Sequence, residues 1–363
     1  MKTNVDCHAE HGNLIGRTVL IAMLAASSLA GDRVAVFAQP VSPTAVKNAR
    51  IENLLAEYDS RYDARVHLLR LPFRSPGYHT AVRSGTLVHP TRESLTYAIA
   101  LLQRNSDGDV QRAKSIIRRI IAMQYRDRAT HHWGTWPYLL EEPDMPSPDL
   151  NWADFMGARL AQILTEHKQQ VIDLVPDIRD SLKLATERIV ERNVKPGYTN
   201  IAVMGGAVTV RAGEIMGREP WIRYGRRRLR AVVARAENTA GFSEYNSPPY
   251  SHVVIGECER GLMMIEDPES RQALESIRSI AWHTIARSFH PPTQQWAGPH
   301  SRMGRDRIRE PTVDFLNARL PRPVNPHPTQ RHDKSRGYEV VTPRDCPRKW
   351  ATGFTREIDQ PYQ

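Results

Sequence analysis

Cysteine is scarce in this sequence, with three residues in 363, at Cys7, Cys258 and Cys346. No two of them have the close spacing of a structural zinc site, and three thiols do not form the framework of a disulfide-stapled domain. Cys258 and Cys346 lie far apart, and no local pattern supports a bridge between them. With 40% apolar residues, the chain is long enough to depend on a large hydrophobic core, in one or two domains.

Strand-like alternation is missing from residues 45–289, and the sequence also lacks a fixed-period repeat and a nucleic-acid-binding motif. The missing repeat argues against a regular solenoid, and the missing motif argues against nucleic acid as a partner. The adjacent residues His131 and His132 have no third ligand at a suitable spacing, so we expect no metal site. Nothing in the sequence indicates a cofactor.

Long apolar runs are confined to the start of the chain. Residues 18–30 form an apolar run of thirteen, which is too short to span a bilayer comfortably. A polar segment precedes this run, and small residues follow it up to Ala38, in the order of a secretory signal. We therefore expect residues 1–38 to be a signal peptide, a periplasmic or secreted location, and no stable membrane span after its removal. A short membrane anchor is the alternative.

The charge of the chain is strongly positive, with 50 basic and 40 acidic residues and a net charge of +10. Arginine supplies 42 of the basic residues. Guanidinium groups pair well with carboxylates, sulfates and phosphates, so an acidic partner is favoured. An arginine-rich genome would produce the same bias, and that alternative stays open.

The apolar residues of positions 45–289 recur at spacings of three and four, which is typical of amphipathic helices. Breakers such as Lys195-Pro196-Gly197 stand where these helices should end. The pattern predicts an all-α fold of nine or ten helices in antiparallel hairpins, as in an (α/α) toroid or a helical solenoid. We expect an incomplete toroid domain at 39–305. A Pro/Arg-rich linker and a truncated C-terminal segment are expected at 306–363, with the stretch 320–348 outside the core.

Two loops are unusually rich in aromatic and hydrogen-bonding residues. The segment 241–250 reads GFSEYNSPPY, and the segment 295–302 reads QWAGPHSR. Rigid aromatics and polar groups suit a surface that binds a polar ring. The first loop supplies Glu244, Tyr245, Asn246 and Tyr250, and the second supplies Trp296, His300 and Arg302.

Two further features extend this candidate site. Trp133 and Trp136 stand beside glycine and proline in an early loop, where an indole face suits stacking on a sugar. Asn200 stands at the start of a smooth helix, where its amide would polarise a substrate carboxyl group. The alternative for each tryptophan is core packing, and the alternative for the tyrosines is a role as loop anchors.

These residue types fit β-elimination from a uronic acid. The proton alpha to a carboxylate is weakly acidic until the anion is neutralised, and a positioned tyrosine or histidine then removes it. Arg302 is suited to the neutralisation. Tyr250 and Tyr245 are candidate proton donors or acceptors, with Glu244 or His300 as the partner.

The helical hairpins, the tryptophan-rich early loop, the asparagine at a helix start and the later Tyr/His/Arg loop resemble the toroid portion of (α/α)-toroid polysaccharide lyases. Chondroitin, hyaluronan and alginate lyases have this architecture. The resemblance covers roughly residues 90–305. It implies that Asn200 and Arg302 neutralise the carboxylate of an acidic polysaccharide and that Tyr250 and His300 transfer protons. Such lyases usually carry β-sandwich domains after the toroid, for which this sequence has no room.

Two other functions remain open on the sequence. One is a glycoside hydrolase of the same fold, in which Glu244 works with a second carboxylate, Asp154 or Glu142. The other is a truncated protein that binds an oligosaccharide or polysaccharide without catalysis. The choice between lyase and hydrolase depends on whether Tyr250 or Glu244 carries the chemistry.

Overall fold

The computed structural model describes residues 43–301, 308, 310–324 and 340–355 of the chain. The segment expected to be a signal peptide lies outside these residues. Within them the chain is all-α, as the sequence predicts. The helices are α1 (Pro43–Tyr58), α2 (Thr91–Arg104), α3 (Asp109–Ala122), α4 (Trp152–Glu166), α5 (Val175–Arg192), α6 (Thr199–Met216), α7 (Glu219–Asn238), α8 (Pro248–Met264), α9 (Pro268–Ser288), α10 (Glu310–Asn317) and α11 (Arg348–Ala351).

Short strands and 3₁₀ turns complete the described part of the chain. The strands pair as antiparallel ribbons of two residues each: β1 (Tyr62–Asp63) with β2 (Leu68–Leu69), β3 (Leu71–Pro72) with β4 (Leu87–Val88), and β5 (Phe289–His290) with β6 (Gln295–Trp296). The 3₁₀ turns are Asp59–Arg61, Ile172–Leu174, Pro291–Thr293 and Thr352–Phe354. None of the helices in the described residues is both long enough and apolar enough to cross a membrane.

The helices from α2 to α9 pack as consecutive hairpins, α2 with α3, α4 with α5, α6 with α7 and α8 with α9. The connections within the last two hairpins are only two and three residues long, so their helices run antiparallel. The first members of the hairpins, α2, α4, α6 and α8, also contact each other in that order. They are buried on nearly all sides, whereas α3, α5 and α7 keep exposed faces.

Helix α6 is rich in small residues because it packs against its hairpin partner α7 and also against α4 and α8. A Cβ added at Gly206 would lie 3.0 Å from Leu229 Cδ2 of α7, and one added at Gly225 of α7 would lie 2.6 Å from the Gly206 carbonyl oxygen. Helices that approach so closely require small residues where they cross. The run of small residues in α6 therefore reports its packing between neighbours.

The hydrophobic core has two parts, one centred on α1 to α5 and the other on α6 to α10. The segment 340–346 touches both parts, because Val340 belongs to the first and Cys346 to the second. The Val340 carbonyl oxygen accepts hydrogen bonds from Gln103 of α2 at 3.0 Å and from Gln162 of α4 at 2.8 Å. The segment reaches both clusters and buries its apolar side chains between them.

This burial differs from the linker expected at 320–348. Val340 and Val341 are fully buried, although proline, arginine and histidine dominate the stretch around them. The average composition of residues 320–348 does not reveal that two adjacent valines within the stretch are buried. Residues 325–339 lie outside the described part of the chain.

Candidate functional site

The predicted site residues that the structure describes lie at one end of the helical array, where α2, α4, α6 and α8 begin. The indole of Trp152, the first residue of α4, donates to the hydroxyl of Thr91, the first residue of α2, at 3.1 Å. Asn151 before α4 donates from Nδ2 to the hydroxyl of Tyr198 before α6 at 3.3 Å. The loops before α6 and α8 meet in turn, because a Cβ at Gly197 would lie 3.3 Å from Ser243 Oγ. The starts of these helices are therefore neighbours.

Asn246 joins the two polar-aromatic loops. Its Oδ1 accepts from the indole Nε1 of Trp296 at 2.5 Å. Its Nδ2 donates to the carbonyl oxygens of Ala297 and Pro299, at 2.9 and 3.0 Å. Asn246 is buried and has a left-handed backbone with φ of 43°, a conformation that asparagine tolerates better than most residues. One amide side chain thus fixes the loop 295–300 against the loop before α8.

His300 is held by the same residue. Its Nδ1 donates to the Asn246 carbonyl oxygen at 2.9 Å, and its ring meets that of Trp296 edge to face at 6.4 Å. The Nε2 atom is buried and has no hydrogen-bond partner among the described residues. When Nδ1 carries the proton of a neutral imidazole, Nε2 holds a lone pair. The arrangement therefore presents a proton acceptor in a fixed orientation.

Other buried polar atoms near the starts of α6 and α8 also have no partner within the described part of the chain. They are Asn200 Oδ1, Glu244 Oε2, Ser247 Oγ and Ser301 Oγ. A buried polar atom without a hydrogen bond costs about 1–3 kcal/mol, so native proteins leave few of them. A polar ligand bound there would satisfy them, although buried polar atoms without a partner also occur elsewhere in the described residues, for example at Gln103 and Glu142.

A cleft lies beside Asn246, between the loop before α8 and the last turns of α9. Its empty volume is about 430 Å³, including space that is open to solvent. Glu244 and Arg287 bring opposite charges to its lining, and Ser251 and Thr284 bring hydroxyl groups. Glu244 is the one carboxylate among the described residues that line it.

The tryptophans expected to bind sugar are buried instead. Trp136 is fully buried, and its Nε1 donates to the Ile120 carbonyl oxygen at 2.9 Å. Trp296 is 1% exposed and serves the contact with Asn246. Both indoles pack inside the protein, where a buried indole removes a large apolar area from water.

Trp133 is also buried, and guanidinium groups rather than open solvent lie over its ring. Arg128 lies 4.4 Å and Arg188 lies 5.6 Å from the ring centroid. The expected sugar-stacking face of Trp133 is therefore occupied by its own chain in this structure.

The remaining predicted residues are placed as follows. Tyr250 lies half-buried in the first turn of α8, and Tyr245 is exposed on the rim of the cleft. Asn200 lies in the first turn of α6, and no hydrogen bond between described residues joins it to His300 or Asn246. Arg302 lies outside the described residues. The structure therefore brings together Glu244, Tyr245, Asn246, Trp296 and His300.

The two carboxylates considered as partners of Glu244 are engaged elsewhere. Glu142 accepts from the Ala81 backbone amide at 2.7 Å. Asp154 pairs with Arg192 at 2.9 Å in the interior, where burial raises the pKa of its carboxyl to about 6 against the opposing charges of Arg192 and Arg228. Neither residue lines the cleft, and Asn200, Tyr250 and His300 do not line it either. The carboxylate pair of a hydrolase is not assembled here.

Two residues near the site were not predicted from the sequence. Tyr198 is exposed before α6, and Arg235 at the end of α7 donates from Nε to Ser243 Oγ at 3.3 Å. The sequence signal for Tyr198 was its place in a Pro-Gly-Tyr turn between helices. Nothing in the sequence distinguishes Arg235 from the other arginines of α7. No group of histidine, cysteine, aspartate or glutamate side chains within the described ranges is arranged to hold a metal ion.

Comparison with known proteins gives one match. The family model of a domain of unknown function, DUF8769, matches residues 55–313, and the chain belongs to this family. No curated protein and no solved structure gives a significant match.

Proposed function

We propose that this DUF8769 protein is a polysaccharide lyase that cleaves an acidic, uronate-containing polysaccharide by β-elimination. The observation that carries the proposal is the orientation of His300. Its Nδ1 donates to a backbone carbonyl, and its Nε2 is buried without a partner among the described residues. A histidine fixed in this way is a general base whose lone pair is already aimed.

The reaction needs a base, an acid and a group that masks a carboxylate. His300 removes the proton alpha to the uronate carboxylate. The electrons of that C–H bond form a carbon–carbon double bond, and the glycosidic C–O bond to the neighbouring sugar breaks. Tyr250, in the first turn of α8, supplies the proton that the leaving oxygen takes.

Neutralisation of the carboxylate is assigned to Asn200 and Arg302. Asn200 is buried in the first turn of α6, with an unpartnered amide oxygen. This oxygen accepts a hydrogen bond from a carboxyl group only when that group is protonated, so it favours the masked form of the substrate. The positive ends of the α6 and α8 dipoles lie at the same end of the array and offset the negative charge of the carboxylate in a second way, by direct electrostatic attraction.

The packing of the helices supports a finer description of the fold. The helices α2, α4, α6 and α8 form a buried row, each with one following helix packed against it. An inner and an outer layer of this kind is what an incomplete (α/α) toroid of four hairpins would have. In a toroid the ligand groove runs across the ends of the inner helices. His300 and the buried polar atoms without a hydrogen-bond partner lie at this end of the array.

A lyase is favoured over a hydrolase of the same fold. Hydrolysis of a glycoside uses two carboxyl groups on either side of the scissile bond. Among the described residues, the cleft offers Glu244 alone, and Asp154 and Glu142 have partners elsewhere. Elimination needs no second carboxylate. The expected export of the protein, with removal of residues 1–38, is part of the same proposal because long acidic polysaccharides lie outside the cell.

The test is a screen of uronate polysaccharides with the purified protein, read by ultraviolet absorbance. Elimination creates an unsaturated uronate that absorbs, whereas hydrolysis creates reducing ends without that absorbance. His300→Ala should lower kcat by about 10²–10⁴-fold, the usual contribution of a general base. His131→Ala, which removes an exposed imidazole from the early loop, is the matched control and should leave kcat unchanged.

Three outcomes would contradict the proposal. Reducing ends without absorbance would show a hydrolase. Binding of the polysaccharide without either product would show a glycan-binding protein. Equal loss of turnover in both histidine variants would remove the assignment of His300 as the base.

A further inference from the structure

Exposed aromatic side chains mark the same end of the helical array. The described residues expose three tyrosines, Tyr78 at 64%, Tyr198 at 36% and Tyr245 at 51%. Tyr198 directly precedes α6 and Tyr245 lies in the loop before α8, and these two helices pack against each other. A tyrosine offers an apolar face with a polar tip, which makes it common on surfaces that bind a partner.

Arg235 lies where the loops of these two tyrosines meet. Its Nε donates to Ser243 Oγ at 3.3 Å, two residues before Tyr245. On the other side, a Cβ at Gly197 would lie 3.1 Å from Arg235 Nε and 3.3 Å from Cζ. Gly197 is the residue before Tyr198, so one guanidinium group borders both tyrosine loops.

The charge of Arg235 is not neutralised by a carboxylate among the described residues. Arg223 and Arg226 of the same helix differ in this respect, since Arg223 pairs with Glu219 and Arg226 pairs with Asp267. Ser243 engages the Nε atom, and the remaining guanidinium donors of this exposed side chain point to no acceptor that the described residues supply. The Arg235 guanidinium group is thus held in position, and its terminal N–H groups stay available to donate to a ligand.

Tyr198 is held in position as well. Its hydroxyl accepts from Asn151 Nδ2 at 3.3 Å, and Asn151 Oδ1 in turn accepts from Arg192 Nη2 at 2.7 Å. A ring fixed by two successive hydrogen bonds loses little entropy when a ligand stacks on it.

We propose that Tyr198, Arg235 and Tyr245 form a subsite for one anionic sugar unit of a polysaccharide. The guanidinium binds the carboxylate or sulfate of that unit in a bidentate manner, and the tyrosine rings contact the faces of neighbouring sugars. This inference rests on the proposed function for the class of ligand. It concerns binding rather than the bond that breaks, so its test is separate.

The experiment measures binding of three polymers: polygalacturonate, which carries carboxylates, dextran sulfate, which carries sulfates, and uncharged dextran. Arg235→Gln should weaken binding of an anionic polymer about tenfold, equivalent to about 1.4 kcal/mol. The matched control is Arg227→Gln, which removes the same charge from an exposed position of the same helix. It should leave the affinity unchanged.

Two further variants test the geometry. Gly197→Ala keeps every charge and pushes a methyl group against the guanidinium, so it should also weaken binding. Arg235→Lys keeps the charge without the fork and should fall between the wild type and Arg235→Gln. Circular dichroism checks that each variant is folded, and the Lys variant keeps the proposal testable if the Gln variant does not fold.

The outcomes separate the sources of the anion and the two proposals. A loss confined to polygalacturonate assigns a uronate, and one confined to dextran sulfate assigns a sulfated sugar; both support the subsite. Equal losses in Arg235→Gln and Arg227→Gln, or an unchanged affinity in Arg235→Gln, overturn it. If the protein eliminates polygalacturonate and Arg235→Gln leaves KM unchanged, the subsite is wrong while the lyase proposal stands. If Arg235→Gln weakens binding but no product forms, the reverse holds.

Discussion

The indole nitrogen of Trp296 donates to the side-chain oxygen of Asn246 at 2.5 Å, and the same amide donates to two backbone carbonyls of the loop that follows. The indole N–H and both ends of the Asn246 amide are removed from bulk water because Trp296 and Asn246 are buried. The pair therefore determines where His300 lies, since the His300 ring is bound to the Asn246 carbonyl oxygen.

Asn246→Ala should be strongly destabilising. It leaves one indole N–H and two carbonyl oxygens without their partner and places alanine in a left-handed conformation. Unpaired buried groups cost about 1–3 kcal/mol each, with partial relief from water, so we expect a loss of about 3 kcal/mol in the free energy of unfolding. Urea denaturation measures this loss. The exposed neighbour Tyr245→Ala should change stability by less than about 0.5 kcal/mol, and similar effects in both variants would contradict the bridging role.

The stability of the protein should depend on the protonation of Asp154. Burial raises the pKa of this carboxyl to about 6, while in the unfolded chain it titrates near 3.8. Between these values the folded state holds one proton more than the unfolded state, so the free energy of unfolding falls as the pH rises. The total decrease is about 3 kcal/mol, complete just above pH 6.

Asp154→Asn is the variant that isolates this effect, because the amide does not titrate. The stability of the wild type minus that of Asp154→Asn should decrease by about 3 kcal/mol between pH 4 and pH 7 and stay constant above. Urea denaturation of both proteins across this range gives the difference at each pH. A difference that does not change with pH would show that the pKa of Asp154 is the same in the folded and unfolded states.

Much of the fold follows from local patterns in the sequence, and the functions of individual side chains do not. The spacing of apolar residues predicts the helices of 45–289 because one buried face imposes a period near 3.6. The spacing of apolar residues does not show whether an indole faces a neighbouring helix or a ligand. Trp136 and Trp296 stand beside glycine and proline, as a binding residue would, and both are buried.

Contacts between segments that lie far apart in the sequence could not be predicted from composition. Arg235, Ser243 and Gly197 meet because α6, α7 and α8 pack side by side, and no local motif encodes that meeting. Val340 is buried for a similar reason, since Gln103 and Gln162 bind its carbonyl from two different helices. The polar-aromatic loop 241–250 was identified from its residues, but the bridging role of Asn246 depends on the loop it meets.

Substitution of the ion pair between Glu259 and Arg319 should lower the free energy of unfolding more than most other changes in the core. Both side chains are fully buried, and Arg319 Nε donates to Glu259 Oε1 at 3.0 Å. Arg278 lies 3.5 Å from the same carboxylate. Glu259→Gln should lower the free energy of unfolding by about 3–5 kcal/mol, because it leaves buried guanidinium charges without a counter-ion.

The control for that variant is Glu275→Gln. Glu275 pairs with Arg344 at 2.9 Å, and the side chains of Arg344 and Glu275 are 39% and 48% exposed to solvent. Exposed pairs contribute about 0–1 kcal/mol, so this change should be nearly neutral in the same urea titration. If Glu259→Gln were equally mild, the buried carboxylate would not be what holds Arg319, just after α10, and the Arg344 backbone amide, which donates to it at 3.3 Å, against α8.

Two adjacent glycines of α6 give the sharpest test of packing at the centre of the array. A Cβ at Gly205 would lie 2.4 Å from Asp154 Oδ1 and 3.0 Å from Ile189 Cγ2. Asp154 has little freedom to move away because Arg192 holds its other oxygen. A Cβ at Gly206 would instead lie 3.0 Å from a methyl group of Leu229, which can change rotamer.

Both Gly→Ala changes gain about 1 kcal/mol of helix propensity, so the difference between them reports the contact alone. We expect Gly205→Ala to be less stable than Gly206→Ala by about 1–3 kcal/mol, the usual penalty for overpacking a core. Urea denaturation of the two variants at one pH measures this difference. Equal stabilities would mean that α4 moves away from α6 at little cost, and the tight contact between these two buried helices would then not be a fixed feature of the fold.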